Sequence, residues 1–366
     1  MDLEVLREEI RKRDLEIIRL IAERTALAQD VARTKMETHE PLRNLQVEKK
    51  VIARYVDEGR SKGLSEDTMR SVASALIEEA VESESRLMKR NVGKRVAIIG
   101  GAGKMGAWMS ELMTENGSSV IIVDPAIDNG KTIDDCSDCD VVIVSVPIHL
   151  TGPILKKLDR ICKDDALIFD LTSLKTPIVD ILKELASKRK VCSIHPMFGP
   201  SARSMFDRNL IVCDCGNKNA VDDVVSMFDD MGGNIRVMDI SEHDGYMSYV
   251  LGLTHAVNIA LFTVLDNSGY TFDDLRSVAS TTFNKGLDTN VSVASEDPAL
   301  YYEIQHMNSH RDEMWDLFTK AVDDLREASL SDDPERFISI MDAGREYFAD
   351  GDKGNIQRLN EQKRGI

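Results

Sequence analysis

The chain is 366 residues long, enough for two or three domains that each bury a core. Its formal net charge of −17, from 63 Asp and Glu against 46 Lys and Arg, argues against a nucleic acid or an anionic membrane as partner, since either demands a basic face. The acidic start Met1-Asp2-Leu3-Glu4 is unlike a signal peptide and no segment reads as a membrane span, so the expected compartment is the cytoplasm.

The acidity is uneven. Residues 1–90 hold 18 Lys and Arg against 19 Asp and Glu, so this near-neutral third reads as a separate unit. Residues 3 to about 37 lack Gly and Pro and place apolar residues at 3, 6, 10, 17, 20, 27 and 31, the seam of one helix of about 35 residues. Such a seam needs other helices and a second copy to cover it. Two further helices are expected, from about Asn44 to Arg60 and from an N-cap at Ser65 to about Lys89, with Gly63 between them. With no strand signal before residue 95, residues 1–90 form an all-α module.

On the long helix Arg24 and Lys35 are eleven residues apart, three turns, and share nearly one face about 16 Å apart, whereas Arg7 points elsewhere. Arg24 falls in the seam, where a charge is costly unless an anion meets it. A salt bridge, for instance to Glu48, would satisfy it as well as a ligand would.

These residues resemble the small helical chorismate mutase family. The resemblance rests on Leu6-Arg7, Glu23-Arg24, Lys35, Pro41-Leu42-Arg43, Glu48 and Glu84. It implies that Arg24 and Lys35 of one subunit, with Arg7 of its partner, meet the carboxylates of chorismate. Lys35 and a protonated Glu84 would flank the ether oxygen where negative charge develops, and Glu48 would take the hydroxyl. Asn44 stands where the family often has Asp, and Ala80 where it often has Ser. A module that only dimerises is the competing reading; it would put an apolar residue at position 24.

Past the short turn Asn91-Val92-Gly93, the apolar run Val96 to Ile99 leads into Gly101-x-Gly103-x-x-Gly106, with Lys104 and Met105 inside the motif, and then a helix start. This is the strand, tight turn and helix N-terminus of a dinucleotide site. The next strand, Val120 to Val123, ends in Asp124, placed to take ribose hydroxyls and to repel a 2′-phosphate, so NAD is the expected cofactor. Strands follow at Val141 to Val146 before Pro147, Ala166 to Leu171, Val191 to Ile194, Leu210 to Cys213 and Ile235 to Met238. They make residues 94–240 a Rossmann-type α/β domain with a doubly wound, parallel sheet of about seven strands. Val146 and Pro147 are expected at the cofactor.

His149, Ser173 and His195 fall at carboxyl ends of strands, where ligands collect in open parallel sheets. His149 also reads as a loop residue, and Ser173 as a cap for the helix after it. His195, between an apolar strand and Pro196-Met197-Phe198-Gly199-Pro200, is placed for proton transfer. The six cysteines read as free thiols, Cys136-x-x-Cys139 included, and no metal is expected.

From Ser241, read as a helix cap, to residue 366 the chain is all-α, with starts at Ser241-Glu242-His243-Asp244 and Asp297-Pro298 and a last helix from about Pro334 to Asp350. This half, 241–366, must bury its apolar face on a subunit partner.

Residues 95 to about 350 resemble the prephenate dehydrogenase family. The motifs that carry this are 100–106, Val144 to His149, Asp170 to Lys175, His195 to Pro200, Glu242-His243-Asp244, Thr254-His255 and Asp297-Pro298-x-Leu300-Tyr301. The whole chain is therefore similar to the bifunctional chorismate mutase/prephenate dehydrogenases, and a homodimer is implied. In that reading His195 accepts the proton of the ring hydroxyl as hydride leaves for NAD, Ser173 orients it or shares the hydroxyl, and His255 helps place the substrate. The family's usual carboxylate-binding Arg is replaced by Ser292, leaving Lys285 or Arg311 as the cation; arogenate in place of prephenate stays open.

Overall fold

A computed structural model describes residues 2–38, 43–87, 91–229 and 231–362. The chain packs as two compact units that divide between His243 and Asp244.

The first unit begins with three helices, α1 (Leu3–Thr38), α2 (Leu45–Ser61) and α3 (Glu66–Ser85). The Asn44 side chain caps α2 by accepting from the amides of Gln46 and Val47, and Ser65 caps α3 by accepting from Thr68 N. Helix α3 ends at Ser85 with Arg86 as its C-cap and a turn at 86–87, short of the end expected near Lys89; residues 88 and 89 of that expectation, and residues 41 and 42 of the Pro-Leu-Arg stretch, lie outside the described residues.

The face of α1 that packs on α3 is not the seam legible in the sequence. Ala32 is buried and Arg24, Ala28 and Lys35 are half-buried, whereas Leu3, Leu6, Ile10, Ile17, Leu20, Leu27 and Val31 are all exposed. At 100° per residue, Ala28 and Ala32 stand about 40° and 80° round from Arg24, and Leu20 and Leu27 about 40° and 60° the other way. Arg24 and Lys35 therefore stand on the border between the face covered within the chain and an uncovered apolar stripe.

Seven strands follow: β1 (Arg95–Ile99), β2 (Ser119–Val123), β3 (Val141–Val144), β4 (Leu167–Asp170), β5 (Val191–Pro196), β6 (Asn209–Asp214) and β7 (Asn234–Asp239). They form one sheet in the order β2-β1-β3-β4-β5-β6-β7. Helices α4 (Lys104–Glu115), α5 (Ile148–Ile161), α6 (Val179–Ala186) and α7 (Lys218–Phe228) connect them. The core runs through Val96, Ile98, Ile143, Phe169, Ile194 and Val212. The inner strands β1, β3, β4 and β5 are buried on both faces and read as unbroken apolar runs, whereas the edge strands β2 and β7 are more exposed and β7 carries Arg236 within it.

The sheet is not wholly parallel: β6 runs antiparallel to β5, with His195 opposite Ile211 and Pro196 opposite Leu210, and β7 is parallel to β6. Strand β5 also continues through His195 and Pro196, so His195 is part of the last paired stretch and not beyond it.

The second unit is helical: the end of α8 (Ile240–Met247), a π-turn at Ser248–Leu253, then α9 (Thr254–Asp266), α10 (Phe272–Ser277), α11 (Thr281–Ala294), α12 (Pro298–Met307), α13 (Arg311–Leu330) and α14 (Glu335–Gln362). Helix α14 outruns its expected end at residue 350. Asp297 caps α12 by accepting from Ala299 N, whereas α8 is capped by Asp239, which accepts from the Ser241 amide and hydroxyl, and not by Ser241. The expectation that no segment reaches membrane-spanning length is also corrected: the 27 residues Ile240–Asp266 form a helical run long and apolar enough to cross a bilayer by length and composition. Ser248, Thr254, His255 and Asn258 interrupt its apolar residues, so no continuous apolar stretch marks it in the sequence.

Candidate active sites

A pocket of about 110 Å³ opens between α1, α2 and α3, lined by Arg24, Lys35, Arg43, Glu48, Val81 and Glu84 among others. Arg24 donates to the Leu76 carbonyl at 2.7 Å; its alternative partner Glu48 is taken by Arg43, in a fork of 2.9 and 3.2 Å. Burial pushes the Glu84 carboxyl above its ordinary pKa, a rise that Lys35 and Arg24 oppose and Glu48 reinforces. A wall thus holds cations beside a carboxyl that is disposed to keep its proton. Asn44 and buried Ala80 also line it. Arg7 does not reach it: seventeen residues before Arg24 on the same helix, about 26 Å along the axis, it pairs with Glu4 at 2.8 Å and is exposed.

The second site is the glycine turn between β1 and α4. Gly100 has φ +81°, and a Cβ there would stand 2.1 Å from the Ser145 carbonyl; one on Gly106 would stand 2.2 Å from the Gly100 carbonyl. Close passage of β3 and of α4 therefore requires both glycines. Gly101 is buried against Ile122, Gly103 is the N-cap of α4 and offers no side chain to the amides behind it, and Lys104 and Met105 form the first helical positions. A helix N-terminus left open in this way accepts a pyrophosphate. Asp124 follows β2 and accepts from Ala102 N at 3.0 Å and Ala126 N at 2.9 Å, which ties its carboxylate to the glycine turn. Val146 stands against Gly100 and Pro147 is the N-cap of α5, at the switch point between β1 and β3. These residues fit a dinucleotide.

The third constellation lies at the ends of β4 and β5. His195, buried, has its Nδ1 3.0 Å from Nε2 of His243, which is fully buried on α8. At that distance one ring nitrogen donates and the other accepts, so the tautomers of the two rings are coupled. The fully buried Lys175 donates to the carbonyls of Thr172 at 2.7 Å and Ile194 at 2.9 Å and pairs with Asp170 at 3.2 Å, tying the end of β4 to the residue before His195. Sequence reasoning gave neither His243 nor Lys175 a role. The Asp170-to-Lys175 and Glu242-His243-Asp244 motifs held both, but their meeting with β5 is a tertiary fact. Ser173 does not cap α6, which starts at Val179 with Ile178 as N-cap; it is half-buried in the bend after β4, with its hydroxyl unengaged among the described residues. His149, at the start of α5, is exposed.

In the second unit His255 is buried on α9 and stacks on Tyr301 with centroids 4.0 Å apart. Burial pushes its pKa down to about 4, so it is neutral near pH 7, with Nδ1 buried and unpartnered. Helix α11 is fixed on α9 by Asn290, which donates to the Asn258 carbonyl at 2.8 Å. Lys285 and Ser292 lie exposed on α11, Lys285 with no ion pair among the described residues. Arg311 caps the end of α12 by donating to the His306 carbonyl and pairs with Asp312 at 3.4 Å.

Family models fall on these same segments. Chorismate mutase type II matches residues 6–85, the nucleotide-binding domain of prephenate dehydrogenase residues 114–237, and its dimerization domain residues 239–343. The chain belongs to the bifunctional chorismate mutase/prephenate dehydrogenase family. The T-protein of Haemophilus influenzae is 25% identical over 374 residues, covering 99% of this chain and 98% of that one. A probable arogenate/prephenate dehydrogenase of Methanocaldococcus jannaschii is 26% identical over 71% of this chain, a match that spans 62% of that protein's length. In fold, residues of this chain superpose on prephenate dehydrogenase from Aquifex aeolicus, solved with hydroxyphenyl propionate and NAD+, with a TM-score of 0.53, 24% identity and coverage of 73% of this chain and 98% of that one. The glycine turn at 100–106 lies ahead of the nucleotide-binding match and joins the family assignment on its own geometry.

Proposed function

We propose that one chain performs two successive reactions, rearranging chorismate to prephenate in the helical module and converting prephenate to 4-hydroxyphenylpyruvate by oxidation and loss of CO2. The observation that carries the first reaction is the pocket that brings Arg24, Lys35 and Glu48 to a Glu84 whose pKa is raised. Chorismate is a dianion, and its Claisen rearrangement gathers negative charge on the ether oxygen. Arg24 meets a carboxylate, Lys35 and the protonated Glu84 donate to the ether oxygen, and Glu48 accepts from the ring hydroxyl.

For the second reaction NAD, when bound, accepts the hydride. The open α4 terminus and Asp124 hold its phosphate and ribose; a carboxylate at that place favours NAD over NADP. His195 accepts the hydroxyl proton at Nε2. That requires Nδ1–H of His195 to donate to Nε2 of His243, so His243 sets the tautomer. As the C–O bond becomes a ketone and hydride departs, loss of the ring carboxylate gives the aromatic product. Ser173 shares the substrate hydroxyl, and the family resemblance assigns His255 to placing the ring and Lys285 to the carboxylate that Ser292 cannot meet.

The Arg7 of a second copy completes the first pocket. Support for a homodimer comes from the uncovered stripe on α1 and from the match of 239–343 to a dimerization domain. Six buried free thiols suit the reducing cytoplasm. The test is purified protein with chorismate and NAD, following chorismate loss and NADH gain separately. Chorismate loss without NADH would remove the dehydrogenase, and NADH from supplied prephenate without chorismate loss would reduce the helices to a dimerising module. NADH from arogenate in preference to prephenate would reassign the second substrate.

A further inference from the structure

One wall of the chorismate pocket reaches beyond its three helices. Arg43, with only 13% of its side chain exposed, forks onto both oxygens of Glu48, and its remaining terminal nitrogen donates to the Gly232 carbonyl at 2.5 Å. Its guanidinium stands 4.9 Å over the Phe206 ring, and Asp207 lies 3.7 Å away. Gly232 and Phe206 belong to the nucleotide-binding domain, where the Gly232 carbonyl also accepts from Asp207 N at 2.9 Å. The corner they make is set by two left-handed residues, Asp207 at φ +54° and Gly232 at +81°. A Cβ on Gly232 would stand 2.8 Å from Val81 Cγ1, and Val81 is itself a pocket residue.

A guanidinium engaged on both edges and one face has no rotamer left to choose, and the carboxylate in its fork is fixed with it. We infer that Arg43 is a positioning residue for the rearrangement of chorismate: it holds Glu48 in place from Phe206 and Gly232, so the pocket of the first reaction is completed by the domain that performs the second. This rests on the mutase reading above, in which Glu48 takes the substrate hydroxyl.

The experiment measures mutase kcat/KM for chorismate and dehydrogenase kcat/KM for supplied prephenate on full-length wild type, Arg43→Gln, Arg43→Lys, Phe206→Leu, Phe206→Tyr and the double variant Arg43→Gln/Phe206→Leu. Arg43→Gln should lose about ten- to a hundredfold of mutase kcat/KM, with most of the loss in KM, as expected when a charged fork goes. Arg43→Lys should recover little, because one nitrogen cannot hold two carboxylate oxygens and a carbonyl. Phe206→Leu should lose about two- to fivefold through the missing ring face, and Phe206→Tyr nothing. In the double variant the Phe206 effect should vanish, because it acts on the pocket through Arg43. Oxidation of prephenate should stay at the wild-type rate in all of them. Full mutase activity in Arg43→Gln or full rescue by Arg43→Lys overturns the positioning role. Losses that multiply in the double variant, or a Phe206→Leu enzyme with a wild-type mutase, overturn its anchorage in the second domain. A wild-type enzyme that leaves chorismate untouched would instead overturn the mutase reading itself.

Discussion

His195 and His243 hold each other across 48 residues of sequence, and the contact makes a definite demand on chemistry. His195→Asn keeps a polar side chain of similar reach but cannot accept the hydroxyl proton. Its dehydrogenase kcat should fall about 10²- to 10⁴-fold, the ordinary worth of a general base, while NAD binding by titration and the thermal midpoint stay near wild type. A variant that keeps most of the rate would return the proton-handling role to Ser173, His149 or His255. Glu84 makes a demand of the opposite sign. Burial, the first cause, raises its pKa and so favours the protonated form, and only the protonated carboxyl donates to the ether oxygen. Mutase activity should therefore hold below that pKa and fall as pH rises through it. Glu84→Gln carries an N–H donor at every pH, so its profile should be flat where the wild type falls; an identical alkaline limb in both would clear Glu84 of the role.

At the scale of elements, α1 serves two masters on adjacent faces, and the test follows from that. Arg7 and Arg24 are about 26 Å apart on one rod, so a site that uses both must take them from two chains. Arg7→Ala and Arg24→Ala should each lack mutase activity. Unfolded and refolded together in equal amounts, they should regain about a quarter of the wild-type sites, since half the dimers are mixed and each has one intact site. No regain would place Arg7 outside the site. Helix α1, the inner strands and the glycine turn were legible because each rests on a local pattern: a periodicity, a buried apolar run, a motif between a strand and a helix. The sense of β6 was not, because a strand buried on both faces has no alternation to betray which way its neighbour runs. Nor was the cap of α8, because Asp239 also ends a strand. His195 could be singled out from the stiff turn after it, whereas His243, Lys175 and the anchorage of Arg43 depend on what the fold brings near, and no spacing carries that.

For the whole molecule, the two reactions draw on different side chains and should separate cleanly. Arg24→Ala should abolish chorismate loss and leave oxidation of supplied prephenate intact, and His195→Asn should do the reverse; joint loss in either variant, with circular dichroism unchanged, would mean a shared site. The sheet that carries His195 also has a history written into its connections. The β5–β6 pair closes over short chain distances, fourteen residues from Pro196 to Leu210, whereas Ile99 must find Val144 across forty-five. Loop-closure entropy and the slowness of distant pairings favour the antiparallel corner as the earlier one to form. In refolding followed by pulsed hydrogen exchange, amides of Ile194, Ile211 and Val212 should gain protection before those of Ile98 and Ile143. The antiparallel corner would then be the template on which the cofactor half of the sheet is later laid down, and equal protection times across the sheet would contradict that order.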